Sequence, residues 1–130
     1  MKYFKKQEFQ CHCGCGMPPE ARQNIEAVVE NVLDPLREAY GKPIYVNSGY
    51  RCEAHNRKVG GVPKSQHLLG QAADIRCDDN AKLAKLIVQQ GRFDQLIIYP
   101  TFLHVSYKRN GNNRHRVLKK TASGYTPVSI

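Results

Sequence analysis

Between Glu20 and Tyr40 the apolar residues Ile25, Val28, Val29, Val32, Leu33, Leu36 and Tyr40 recur at steps of three and four. That period lines one face of an α-helix with apolar side chains and leaves the other polar. A helix built this way needs a second layer to cover its apolar face. The ends of the segment agree. Pro18 and Pro19 suit a first turn, where a missing N–H has no partner to lose, and Gly41 is a natural stop. Pro35 falls inside the pattern and is expected to bend or divide the helix.

The covering layer is legible downstream. Ile44–Val46 reads as a short strand, and Gln71–Cys77 ends in the strand-like DIRC. Gln95–Tyr99 and Leu103–Tyr107 are β-rich runs with Pro100, Thr101 and Phe102 between them, and Arg116–Lys120 is a third, reached through the turn-rich NGNN. A second helix has apolar positions at Leu83, Ala84, Leu86, Ile87 and Val88, with Asp78 or Asp79 as its cap and Gly91 as its end. Residues 52–66, with Gly60, Gly61 and Pro63, read as a loop that starts with a helical turn. Residues 1–17 read as an irregular Cys-rich arm. The pattern predicts one α+β domain over residues 1–130, an antiparallel sheet packed against helices. A chain of 130 residues is the size of one domain and can bury about two-thirds of its unfolded surface.

Composition narrows the function classes. At 41% hydrophobic and 24% charged, the chain is neither collagen-like nor wholly disordered. No apolar run approaches the roughly 20 residues needed to span a bilayer, so no membrane partner is expected. The opening MKYFKKQEFQ lacks the apolar stretch of a signal peptide. Twenty basic residues against eleven acidic give +9. Lys108 to Lys120 holds six Lys and Arg and no acid. Such a stretch attracts nucleic acid or an anionic polymer, or keeps a sheet edge soluble and unpaired. Aromatic residues are sparse within it, so nucleic acid ranks last among the partners.

Cys11, Cys13, Cys15, Cys52 and Cys77 are odd in number, which argues against a complete disulfide framework. The CHCGCG string allows thiolates to converge on a soft metal, with His12 or Cys52 completing the set. Its alternate spacing differs from the usual C-x2-C, which favours buried free thiols or a disulfide with Cys52.

His67 and Asp74 in SQHLLGQAAD are too far apart to share one helical turn; they suit a loop ligand and a strand ligand. On a strand, Leu103 and Val105 face one way, while Phe102, His104 and Ser106 face the other. His104 could therefore meet His67 and Asp74 at a point. Two His and one carboxylate with a fourth position left for water form a catalytic zinc set. The same residues also fit a partly buried His and an Asp paired with Arg51 or Arg76.

The strings SGYRCEAHNRKVGGVPKSQHLLGQAADI and FDQLIIYPTFLHVSY resemble the zinc D-alanyl-D-alanine carboxypeptidases, the M15 peptidases. This family includes murein-cleaving phage endolysins and shares a metal-centre fold with the Hedgehog signalling domain. The resemblance runs from about Phe9 to Tyr107 and rests on SGYR, S-x-H-x-x-G-x-A-x-D and a final H-V, in order. It implies that His67, Asp74 and His104 bind Zn2+. It also implies that Arg51 holds a substrate carboxylate or carbonyl, which the bidentate guanidinium fork suits. Ser65 and Gln66 would line the site. The implied function is cleavage of D-amino-acid-containing peptides of bacterial peptidoglycan, as a carboxypeptidase or endolysin. The expected protein is a monomer made in the cytoplasm that acts on the wall after release, of phage, prophage or bacterial origin. Zinc would lower the pKa of its water to about 7 and polarise the scissile carbonyl.

The sequence departs from the family at the general base. That residue is usually a Glu shortly before the last His, often three positions before, where this chain has Thr101, and no Glu follows Glu53. Phe102 also replaces the extra His of some members. Asp94 is the nearest upstream acid, but a hairpin turning at Thr101 sets it opposite Lys108, away from His104. Glu53 or His55 could fold over the site, or Tyr99 could donate a hydrogen bond to the tetrahedral intermediate. Loss of a general base typically costs about 10²–10⁴-fold, so the alternative is a zinc-containing, catalytically weak wall-binding module.

Overall fold

The computed structural model describes all residues, Met1–Ile130. The long amphipathic segment forms α1 (Pro19–Val28) and α2 (Asp34–Tyr40), joined by a π-helical turn at Val29–Leu33. Pro35 therefore acts one turn upstream of itself. The Asp34 N–H donates to the Val29 carbonyl, five residues back, and the wider turn accommodates the proline ring. Gly41 ends α2 in the left-handed conformation.

Six strands follow: β1 (Tyr45–Ser48), β2 (Ala72–Arg76), β3 (Gln95–Ile98), β4 (Leu103–Ser106), β5 (Arg116–Thr121) and β6 (Gly124–Pro127). They form one sheet in the order β1-β2-β4-β3-β5-β6. The helix α3 (Glu53–Lys58) opens the loop after β1, and α4 (Asn80–Gln90) crosses from β2 to β3. Asp79 caps α4, its side chain accepting from the Lys82 N–H.

The sheet is mixed, whereas the sequence pattern predicts an antiparallel one: β3 and β5 run parallel. The cause is Asp94, whose side chain is wholly buried. Its carboxylate accepts from the Arg114 backbone and guanidinium, and its carbonyl accepts from the Arg116 N–H. The incoming chain is thus tied to the start of β3, and β5 sets off in the same direction. The hairpin strand β6 was not anticipated. Its residues are mostly exposed and carry no alternating apolar signal.

Strand alternation divides the sheet into two faces. Ala73, Ile75, Leu96, Leu103 and Val105 turn toward α1, α2 and α4 and join Ile25, Val28, Leu33, Leu83 and Ile87 in one core. The N-terminal arm is irregular, with a 3₁₀ turn at Lys6–Phe9, yet it is anchored: Phe4 and Phe9 belong to the core. Asp34 further accepts from the Lys2 and Tyr3 N–H groups. No helix is long and apolar enough to cross a membrane. The opposite face of the sheet is left uncovered by helices and carries the site.

Candidate metal centre

Three local devices bring His67, Asp74 and His104 together. Asp74 and His104 are direct cross-strand partners on β2 and β4, so their side chains rise side by side from the same face. His67 sits in a 3₁₀ turn, Gln66–Leu69, whose start is capped by the Ser65 hydroxyl accepting from the His67 N–H. Gly70 ends this turn at φ +73°, and a Cβ there would run into the Ala21 carbonyl. The chain can therefore step from the turn into β2 only with glycine at this position.

The imidazole hydrogen bonds define the chemistry. His67 Nδ1 lies 2.6 Å from the Gly49 carbonyl. A carbonyl only accepts, so Nδ1 carries the hydrogen and Nε2 presents its lone pair. That lone pair faces Asp74 Oδ1 at 3.1 Å, and His104 Nδ1 lies 2.9 Å from the same oxygen. Two acceptors, His67 Nε2 and Asp74 Oδ1, thus face each other, an arrangement that a cation between them satisfies. The three donor atoms lie within 4.8 Å of one another. Two imidazoles and one carboxylate oxygen, with no fourth protein donor, suit zinc with an open position. Burial alone would raise the Asp74 carboxyl, but the His104 and His67 imidazoles beside it hold it well below the usual carboxylate range. Burial also lowers the His104 imidazole against the pull of Asp74, favouring the neutral ring that a metal requires.

Arg51 supports the set from behind. Its Nη2 donates to Asp74 Oδ2 at 3.1 Å, leaving Oδ1 for the centre. Nε donates to the Ser48 hydroxyl and Nη1 to Asn56 Oδ1. Gln66 donates to Gln71 and to Asp94 Oδ2, linking the metal turn to the buried acid.

The donors lie on the floor of a cleft of about 760 Å³, whose lining includes Arg51, Ser65 and Gln66. Lys64 and Arg116 also line it, without the acidic partners that Arg51 and Arg114 have. Asp74 is its one carboxylate. Tyr99 stacks on Phe102 with ring centroids 4.4 Å apart, and its hydroxyl lies 3.2 Å from that of Tyr125. Burial, then the Tyr125 hydroxyl, pushes the Tyr99 phenol well above its ordinary value, so it can donate a hydrogen bond but not serve as a base.

Glu53 and His55 do not fold over the site. Glu53 is exposed and pairs with Arg57, and the His55 ring lies beside His12, with centroids 5.8 Å apart. Asp94 lies 3.7 Å from Lys108 and is spent on Arg114. Sequence reasoning passed over Tyr125, Arg114 and Arg116, because they reach the cleft only through the parallel β3–β5 pairing, which no local pattern announces.

A helix-backed mixed sheet with a His–Asp–His set open to a cationic cleft defines an α+β protein with a catalytic-type metal centre. A family model described as Peptidase M15 matches residues 2–106, and the chain belongs to that family. It is also similar to a zinc D-Ala-D-Ala carboxypeptidase from Streptomyces albus G, 48% identical over 44 residues. That match covers 33% of this chain and 17% of the relative's length.

Proposed function

We propose that the protein is a zinc peptidase acting on bacterial peptidoglycan peptides that contain D-amino acids, as a carboxypeptidase or endopeptidase. The observation that carries this reading is the shared oxygen, Asp74 Oδ1, faced by His67 Nε2 and His104 Nδ1 on the floor of the cationic cleft. Zinc held there supplies a Lewis acid for the scissile carbonyl and an activated water.

The chain's own residues do the rest. A guanidinium has five N–H donors; three of Arg51's are engaged, by Ser48, Asn56 and Asp74, which leaves two for a substrate carboxylate. The two unpaired cations, Lys64 and Arg116, favour a peptide that carries negative charge. Tyr99, kept protonated, donates to the oxygen that gains charge as the carbonyl carbon becomes tetrahedral. Phe102 and Ile97 give the peptide an apolar surface to lie on.

One observation favours a second reading. No carboxylate other than Asp74 lines the cleft, so the chain offers no second acid as general base, as suits a zinc-dependent wall-binding module with weak turnover. Amino-group release from purified peptidoglycan separates the two. It would be run with zinc-loaded protein, with and without chelator, beside acyl-D-Ala-D-Ala and L,D-linked peptides. Chelator-sensitive release supports the peptidase, and the preferred peptide assigns the bond. Zinc-dependent wall binding without release on any substrate would replace it with the binding module.

A further inference from the structure

A second group of metal-capable side chains lies outside the cleft. The thiols of Cys11, Cys13, Cys15 and Cys52 converge so that their four sulfurs lie within 4.8 Å of one another. Cys11 and Cys13 are 3.2 Å apart, Cys13 and Cys52 3.5 Å, and Cys11 and Cys52 3.7 Å, and all are free thiols. Four thiolates around zinc, with Zn–S bonds of about 2.3 Å, stand about 3.8 Å apart along a tetrahedral edge. The three spacings among Cys11, Cys13 and Cys52 are near that value, and Cys15 Sγ lies within 4.8 Å of each of them.

Apolar packing does not account for the convergence. Cys11 is buried in a small cluster with Ala21 and Tyr50, but Cys13 and Cys15 are exposed. Exposed thiols gathered around a buried one gain nothing from burial. The backbone is instead shaped to aim them. Gly14 and Gly16 take φ of +78° and +82°, and the Gly14 N–H closes a turn onto the Cys11 carbonyl, so three alternate cysteines point to one side. The Cys52 N–H donates to Cys11 Sγ, and the His55 N–H donates to Cys52 Sγ. Such N–H···S bonds orient sulfur ligands and stabilise them as thiolates.

We propose that Cys11, Cys13, Cys15 and Cys52 form a second, structural zinc site, closed by four thiolates, that clamps the N-terminal arm to the loop after β1. Each thiol gives its proton to solvent on binding, and no redox step is involved. Soft thiolate donors in a tetrahedral set select zinc over magnesium or calcium. The clamp adjoins the cleft through the chain itself. Cys52 follows Arg51 and caps α3, the helix that carries Asn56, and Asn56 holds the Arg51 guanidinium. A metal there would fix the base from which Arg51 reaches Asp74.

The test separates this site from the His–Asp–His centre, because only the clamp contains sulfur. Zinc content would be measured on protein purified under reducing conditions in zinc-containing medium. Cobalt(II) would then replace zinc and the thiolate-to-cobalt charge-transfer absorption would be recorded. We expect about two zinc per chain and a strong charge-transfer band. A His67→Ala/His104→Ala variant should keep the band and about one zinc. A Cys13→Ser/Cys15→Ser variant should lose the band and unfold at lower temperature, while a folded sample keeps about one zinc in the cleft. Cobalt-loaded wild type without a charge-transfer band would overturn the proposal. So would four cluster thiols that react with a thiol reagent as fast in zinc as in chelator. Neither outcome touches the reading of the cleft, which is judged on peptide release.

Discussion

At the scale of single residues, the site turns on which atom faces which. Asp74 divides its two oxygens, Oδ1 toward the imidazoles and Oδ2 toward Arg51. Removing the Arg51 support should therefore loosen metal as well as substrate. Arg51→Gln is expected to weaken zinc binding by about 10–100-fold, the usual effect of losing an outer partner of a metal ligand. Competition against a chromogenic chelator measures it. Arg51→Lys should recover little, since a lysine cannot reach Ser48, Asn56 and Asp74 with one fork. Tyr99→Phe should lower kcat by about 10²-fold with KM nearly constant if the hydroxyl donates to the developing oxyanion. An unchanged kcat would leave Tyr99 as a packed strand aromatic. The grouping of His67, Asp74, His104 and Arg51 was legible through the family resemblance, which rests on motif order, whereas spacing alone left a packed His and a paired Asp open as well. The tautomer of His67 was not, because it depends on Gly49, a carbonyl on another segment.

At the scale of elements, the turn between His67 and β2 is the demanding one. Gly70 and Gly41 share the left-handed conformation, but a Cβ on Gly41 meets open space, whereas one on Gly70 meets the Ala21 carbonyl. Gly41→Ala should cost about 1–2 kcal/mol, the backbone penalty alone, as read from urea unfolding. Gly70→Ala should cost more and should also displace His67, so zinc affinity should fall in that variant only. Equal losses from the two variants would mean that the turn relaxes away from α1. The helices and the β3–β4 pair were legible because their periodicity is local. The division of the long helix near Pro35 was foreseen as a bend or a break, without its π-helical form. The parallel β5 went unread because its direction is set by Asp94 holding Arg114 and Arg116, a tertiary tie across a turn-rich segment.

At the scale of the whole molecule, that tie makes stability depend on acid. Burial opposes ionisation of Asp94, but the Arg114 guanidinium and N–H outweigh it and bring the carboxyl from 3.8 to about 2. A carboxyl depressed in the folded state stabilises it fully above the unfolded value and loses that contribution as pH falls toward the folded one. Stability should thus decline as pH drops from about 4 toward 2. Asp94→Asn should be less stable at pH 7 by on the order of 1 kcal/mol and should show a shallower acid decline. Thermal unfolding across pH checks both. An unchanged acid limb would place the sensitivity elsewhere, at Asp74.

The family match ends at residue 106, and His67, Asp74, His104 and the residues that brace them all precede that point. Arg116, Leu118 and Tyr125 of the far cleft wall come from the hairpin added afterwards at the β3 edge. The chain thus encodes the metal-facing residues and much of the far cleft wall in consecutive stretches, joined where Asp94 holds Arg114. A different hairpin laid on the same edge would present a different wall to the cleft, provided that it kept the Asp94 tie on which the metal turn leans. On the proposed function, the tail and not the metal centre would be the place to alter selectivity.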